Sequence, residues 1–204
     1  LIMRVERSGV HSVDAEHKFF DPRSHSELRW FYRHSVAYLF NVAAHPPVTP
    51  VLDPLKSPRD FPVVEFSAGT GNNLLYLAER GLPSTYTGIG IMEAAFAKYR
   101  VAQRGLGHLV TFVEPYNNQG VLDPLAAFRN PGTYGTIMAF DVLEHVPDYQ
   151  ETVAVLVTAL KPGGRICETS PFAAPRPSNN SKPDLRLHQS TRGVSMARAM
   201  GPSM

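Results

Sequence analysis

Apolar side chains at Leu28, Phe31, Tyr32 and Leu39, with Ser35 completing the i, i+3, i+4, i+7 face, predict a helix near the start of the chain. Ser26-Glu27 supplies its start signal, a small polar cap and then an acid that suits the positive end of a helix. Pro46, Pro47, Pro50, Pro54, Pro58 and Pro62 follow within seventeen residues. That spacing excludes a helix or a central strand and predicts an extended connector. Beyond it the period changes. Short β-rich runs at 63–66, 86–89, 110–113, 136–140 and 165–169 alternate with helical patterns at 72–80, 92–104 and around 122–128. A further helix presents Tyr149, Val153, Leu156, Val157 and Leu160 on one face. Gly81, Gly105 and the run Lys161-Pro162-Gly163-Gly164 are stop signals for three of these helices. A last short helix is predicted near 194–200, and no internal repeat is found. Strand-helix alternation of this kind predicts an α/β fold with a parallel sheet. The division is a helical segment over 1–44, a proline-rich connector over 45–61 and an α/β domain over 62–204.

Composition narrows the function classes. With 204 residues, 43% hydrophobic and 19% charged, the chain can bury one core and carry a small appendage. The 20 basic and 18 acidic residues leave a formal charge of +2 with no long run of one sign, so nucleic-acid binding driven by phosphate contacts has no support. Cys167 is the single cysteine, which excludes an internal disulfide framework and a multi-cysteine zinc site and fits a reducing compartment. The longest strongly apolar stretch, 35–44, is about half of the ~20 residues a membrane helix needs. Leu1-Ile2-Met3-Arg4 lacks the pattern of a secretory signal, and a chain opening on Leu1 reads as trimmed. A cytoplasmic protein is expected, with no nucleic-acid or membrane partner. His11, His17, His25, His34, His45, His108 and His188 show no metal-ligand spacing.

In an open parallel sheet, ligands bind beyond the carboxyl ends of the strands. The first such loop is Glu65-Phe66-Ser67-Ala68-Gly69-Thr70-Gly71-Asn72, an acid at a strand end and two glycines that let the backbone turn tightly and approach a ligand. A helix start follows, its free amides aimed at the same space. The loop lacks the Gly-Lys-Ser/Thr ending of a phosphate-cradling P-loop and the third glycine of the dinucleotide fingerprint.

This loop resembles the first motif of the class I S-adenosylmethionine-dependent methyltransferases. Tyr86-Thr87-Gly88-Ile89-Gly90-Ile91 is similar to that family's second-strand motif, Asp141-Val142-Leu143-Glu144-His145-Val146 to the segment after its fourth strand, and Leu160-Lys161-Pro162-Gly163-Gly164 to the turn before its fifth. Order and spacing are those of the ubiquinone-biosynthesis-like branch, over residues 62–172. The resemblance implies a Rossmann-like three-layer α/β/α sandwich with a mainly parallel sheet and an N-terminal helical extension. It implies S-adenosylmethionine as cofactor, its methionine end held at Glu65, Ser67, Gly69 and Gly71.

The departures carry equal weight. The family usually has glycine where Ser67 stands, a change that ordinary backbone angles would tolerate. Gly90 occupies the position of the acid that accepts both ribose hydroxyls, and losing such a contact costs about 2 kcal/mol of binding. Glu93, one helical turn later, is the candidate substitute. Asn117 is placed to accept from the adenine amino group, and Tyr116 to stack on the ring. Asp141 and His145 are expected at the methyl-transfer region, Asp141 also among the cofactor contacts, and His145 is the candidate base for a phenol or alcohol acceptor. In some quinone O-methyltransferases the segment matching Asp141, Glu144 and His145 binds a divalent metal; no metal is assigned here. Trp30, Phe31, Tyr32, Tyr38 and Phe40 read as core packing.

A complete fold of the family continues with a helix and two more strands, so a sheet lacking its C-terminal strands is expected. Its open edge would be covered by a second copy or a larger assembly. The function implied is methyl transfer to oxygen, nitrogen or carbon of a small or medium-sized acceptor by in-line displacement. The alternatives are a non-catalytic methyltransferase-like subunit of a larger assembly, and a fold whose cofactor only orders a pocket for other chemistry such as cyclisation.

Overall fold

The computed structural model describes residues 24–34, 36–116, 120–146, 148–169 and 195–198. The sheet strands are β1 (Val63–Glu65), β2 (Ser84–Tyr86), β3 (Val110–Phe112), β4 (Tyr134–Phe140), β5 (Leu160–Thr169) and β6 (Ser195–Arg198), in spatial order β3-β2-β1-β4-β5-β6. The first five run parallel, and β6 pairs antiparallel with β5 from Arg165↔Arg198 to Glu168↔Ser195. Chain order reverses between β1 and β4, which makes the carboxyl ends of these two strands the switch-point crevice where such sheets bind ligands. Glu65 lies level with Tyr86 on one side and Met138 on the other.

Successive strand residues point to opposite faces, and each face has its own core. Val63 and Met138 join Leu74, Leu77, Ala97 and Val101, from helices α4 (Asn72–Ala78) and α5 (Ile91–Gln103), on one side. Val64, Ile137 and Ile166 join Phe66, Phe128 and Leu156 on the other, under α6 (Tyr149–Ala159). Covering both faces explains why β4 reads as a continuous apolar run and not as an alternation. The sandwich is the three-layer Rossmann-like α/β fold that the sequence predicts.

Several elements differ from the predicted ones. The N-terminal helical pattern is carried by two helices, α1 (His25–His34) and α2 (Val36–Ala44). The connector is not wholly extended: it holds α3 (Thr49–Leu52) and a single turn of 3-10 helix, Pro58–Asp60. Pro50 and Pro58 each sit in a first turn, where the missing amide hydrogen would have had no partner and the fixed φ suits the helix. The helical stretch around 122–128 reduces to the 3-10 turn Ala126–Phe128. Residues 161–164 do turn, yet within β5: Tyr134 pairs with Leu160 and Thr136 with Arg165, so four residues bulge opposite Gly135. The helix predicted near 194–200 is replaced by β6, whose ladder with β5 supplies an antiparallel strand at an edge expected to be bare.

At the amino ends of the strands the connector is pinned to the sheet. Asp60 accepts from the Lys56 and Ser57 amides at 3.0 and 2.8 Å and pairs with the Arg165 guanidinium, while Lys161 donates to the Phe61 carbonyl at 3.0 Å. At the carboxyl ends, Asn72 donates to the Val42 and His45 carbonyls at 3.0 and 2.7 Å, tying the end of α2 to the start of α4. Among the described residues no helix is long and apolar enough to cross a membrane.

Candidate functional site

The strand-to-helix loop after β1 is held from three sides. Phe66 donates its amide to Met138 O at 2.8 Å, Ala68 to Thr87 O at 2.8 Å, and the Thr87 hydroxyl donates to Glu65 O at 2.8 Å. Tyr86, at the end of β2, donates its hydroxyl to Gly69 O at 2.8 Å. Gly69 and Gly71 both have positive φ, +50° and +74°, so the turn they make is open to glycine at little cost. A Cβ at Gly69 would lie 2.8 Å from Val42 Cγ1, so α2 crosses directly over the loop. Ser67 is the correction here. Its φ is +59°, not an ordinary value, and the glycine usual in the family would sit there without strain.

Glu65 ends β1 buried, 4% exposed. Its Oε1 accepts from Asn73 Nδ2 at 2.6 Å, and Asn73 Oδ1 accepts from the Val48 amide at 2.9 Å. Glu65 Oε2 is buried with no hydrogen-bond partner among the described residues. Burial pushes the Glu65 carboxyl up to about 8, with the Asn73 bond acting the other way. A neutral or half-titrated acid with a spare buried acceptor can take a donor from a ligand.

A second buried acid stands beside β2. Glu93, in the first turn of α5, is 2% exposed, and neither of its oxygens accepts a well-formed hydrogen bond from the described residues. Burial pushes it up to about 7, its own backbone amide being the smaller, opposing influence. A Cβ on Gly90 would lie 2.1 Å from Glu93 Oε2, so the Glu93 carboxyl fills the volume a side chain at position 90 would occupy. Tyr32 of α1 and Tyr38 of α2 share a hydrogen bond and face this acid. Burial and then the Glu93 charge push Tyr32 up to about 12; burial and then Tyr32 push Tyr38 well up; burial and then Glu93 push Tyr86 up.

The β4 end is arranged differently. Asp141 follows the strand with φ +50°, donates its amide to Thr169 O at 2.5 Å and accepts from the Thr169 hydroxyl at 3.2 Å. It is exposed and lies three residues beyond Met138, the neighbour of Glu65. Glu144 turns inward, its side chain 0% exposed, and its Oε1 is 3.8 Å from Nε2 of the half-exposed His145. Asp141, Glu144 and His145 do not converge: among the described residues no three His, Cys, Asp or Glu side chains form a metal-sized group. The Tyr116 backbone bridges to Leu122, and Asn117 lies outside the described residues.

The structure thus brings Glu65, Ser67, Gly69 and Gly71 into one loop and sets Glu93 beside Gly90. Sequence reasoning missed Asn73 as the holder of Glu65. The available signal was an amide side chain on the first turn of the helix behind an acid-ended strand. Of the aromatics read as core packing, Phe31 is buried, Tyr32 and Tyr38 are partly buried and face Glu93, and Trp30 is exposed.

A parallel sheet with this strand order, a glycine turn after β1 and an acid at its end define the class I S-adenosylmethionine-dependent methyltransferase type of fold. Residues 26–199 match the methyltransferase-domain family, and the chain belongs to it. It is 28% identical over 107 residues to a ubiquinone biosynthesis O-methyltransferase of Colwellia psychrerythraea, covering 52% of this chain and 40% of that protein. To the protein of the same name in Thiobacillus denitrificans it is 30% identical over 96 residues, 47% of this chain and 39% of the relative. The matches span about two fifths of the length of these curated relatives. Among solved structures, the (4+2)-cyclase SpnF superposes with a TM-score of 0.55 at 18% identity, over 71% of this chain and 59% of that one. A putative sarcosine dimethylglycine methyltransferase from Galdieria sulphuraria gives 0.50 at 19%, over 68% and 48%. These two likenesses are of fold.

Proposed function

We propose that this chain binds S-adenosylmethionine and transfers its methyl group, by in-line displacement, to an oxygen of a small or medium-sized acceptor. One observation carries the reading: two buried carboxyls, Glu65 and Glu93, end or flank adjacent strands around a glycine turn and keep oxygens with no donor among the described residues. Buried acceptors are rarely left without a partner, and a ligand rich in N–H and O–H groups would satisfy them. The donor set therefore fits the cofactor. Glu65 and the 67–71 loop would hold its methionine end, and Glu93, standing in for an acid at Gly90, its ribose hydroxyls. Asn117 remains the candidate for the adenine amino group, and Asp141 a further contact.

The cofactor, when bound, supplies a methyl group already activated as a sulfonium. The chain's own work is to align the acceptor, exclude water and hold the proton that leaves it. His145, half-exposed beyond β4 with the Glu144 carboxylate 3.8 Å away, is the proposed base at Nε2. The O-methyltransferase name of the relatives supports oxygen as the acceptor atom. A non-catalytic scaffold would gain nothing from buried carboxyls that lack donors. Calorimetric titration with S-adenosylmethionine and S-adenosylhomocysteine tests the reading without naming an acceptor. Saturable binding that Glu65→Ala abolishes is expected; a folded sample that binds neither would overturn it.

A further inference from the structure

A cleft lies between the end of α2, α4 and α5, with a volume of about 270 Å³. Its polar lining is His45, Asn72, Tyr76, Glu79, Arg100 and Arg104, none of them among the candidate cofactor or catalytic residues. Arg100 donates hydrogen bonds from Nη1 alone, to Thr70 O at 3.0 Å and to Asn72 Oδ1, both neutral acceptors, and its guanidinium carbon lies 5.5 Å from the centre of the Phe96 ring. Its Nε and Nη2 have no acceptor among the described residues. Arg104, one turn on and exposed, donates from Nε to Glu79 Oε1 at 3.1 Å and from Nη1 to Arg100 O at 3.1 Å, and its Nη2 has no acceptor among the described residues. Burial, and then the neighbouring Arg104 charge, push the Arg100 guanidinium down, with Glu79 acting the other way.

Two guanidinium groups at i, i+4 repel each other, and the cleft offers them one carboxylate, already engaged by Arg104. An oxyanion between them would offset that repulsion. The free Nε–Nη2 edge of Arg100 is a fork that fits two oxygens of one tetrahedral anion, and the spare Arg104 Nη2 supplies a third donor from the same helix face. Asn72 fixes the Arg100 side chain through its Oδ1 while its own amide group is tied to α2, so the fork is pre-set.

We propose that the Arg100–Arg104 cleft is a binding site for the phosphate group of a soluble small molecule. Inorganic phosphate is the probe, titrated calorimetrically into the full chain in phosphate-free buffer. Saturable binding of one phosphate per chain is expected. Arg104→Gln, which leaves the Arg100 bonds to Thr70 and Asn72 intact, should weaken it about tenfold with no change in thermal midpoint. Arg100→Gln should also lose binding, but it removes the brace on the loop and is the less clean variant. Absence of saturable binding, or equal binding by Arg104→Gln, overturns the site. In a parallel arm the chain is sedimented with vesicles of phosphatidylcholine with and without phosphatidic acid. Vesicle binding that depends on Arg104 without binding of free phosphate would overturn the soluble-ligand assignment in favour of a lipid headgroup.

Discussion

The Glu93 carboxyl occupies the space of the side chain that Gly90 lacks: a Cβ on Gly90 would come within 2.1 Å of Glu93 Oε2 and 2.6 Å of its Cδ. Gly90 itself has φ −76° and ψ 113°, angles any residue adopts. The glycine is therefore not there for its backbone. It leaves room, and the Glu93 carboxyl reaches that volume from the first turn of α5.

A side chain at position 90 should then displace the Glu93 carboxyl without disturbing the fold, since only the far end of a flexible side chain has to move. Gly90→Ala is expected to weaken S-adenosylhomocysteine binding about tenfold, as Glu93→Ala does, with an unchanged unfolding midpoint. Gly90→Asp combined with Glu93→Ala should bind more tightly than Glu93→Ala alone. Calorimetric titration of the four proteins decides it, and unaltered affinity in Gly90→Ala would remove Glu93 from the site.

Burial raises Glu93 from 4.5 to about 7 and Glu65 from 4.5 to about 8, so the folded chain keeps protons that the unfolded chain gives up. The sign follows: this contribution is full below the unfolded value and is lost as pH rises through the folded values. Unfolding free energy should fall between about pH 5 and pH 8, with Glu93 alone accounting for about 3 kcal/mol at full titration. The groups facing Glu93 are Tyr32, Tyr38 and Tyr86, all raised and neutral in that window, so no competing charge enters. Glu93→Gln should flatten the profile, measured by urea unfolding at each pH. A ligand whose hydroxyls donate to the carboxylate favours its charged form, so cofactor affinity should rise as pH passes about 7.

The strands and the glycine turn were legible because their causes are local: apolar runs buried on both faces, and glycines where φ is positive. Strand ends moved by up to five residues: β5 begins at Leu160 and not at 165, and β2 runs Ser84–Tyr86, which leaves 87–89 to the loop that locks Glu65. Pro50 and Pro58 misled because a proline breaks a helix in its interior and starts one in its first turn, and only the fold says which. Ser195–Arg198 carries helix-compatible residues, and its strand exists because β5 offers an unpaired edge. The proximity of Glu93 to Gly90 was legible as a spacing. The Glu65–Asn73–Val48 chain was not, because it links residues far apart in sequence.

Ser67 is a serine in a left-handed conformation, φ +59°, at the position where glycine is usual. The conformation costs a residue with a Cβ about 1 kcal/mol. Ser67→Gly should recover most of that and raise the thermal midpoint by about 2–4 °C, read by calorimetry. A lower midpoint would show that the serine hydroxyl holds the loop in a way that outweighs the strain.

Asn73 couples the site to the connector, giving to Glu65 Oε1 at 2.6 Å and taking from the Val48 amide at 2.9 Å. Asn73→Ala leaves a second Glu65 oxygen and one backbone amide without partners, a loss of about 2 kcal/mol. The unfolding midpoint in urea should drop accordingly. Because the Asn73 bond lowers Glu65, its removal should also move the stability profile's Glu65 transition to higher pH. A drop in midpoint with the transition unmoved would mean that Asn73 braces the connector alone.

Gly69 separates two effects that a single substitution would merge. Its φ of +50° strains any side chain, and a Cβ there would meet Val42 Cγ1 at 2.8 Å, closer than such atoms approach. Gly69→Ala should therefore cost about 3 kcal/mol, part from the backbone and part from the contact. Val42→Ala removes the contact and leaves the backbone strain. In the double variant the two losses should fall short of their sum by about 1 kcal/mol, the coupling expected of residues that touch. Strict additivity in urea unfolding would mean that α2 stands off the loop, and that the cover over the glycine turn is looser than the Asn72 bonds to Val42 and His45 make it.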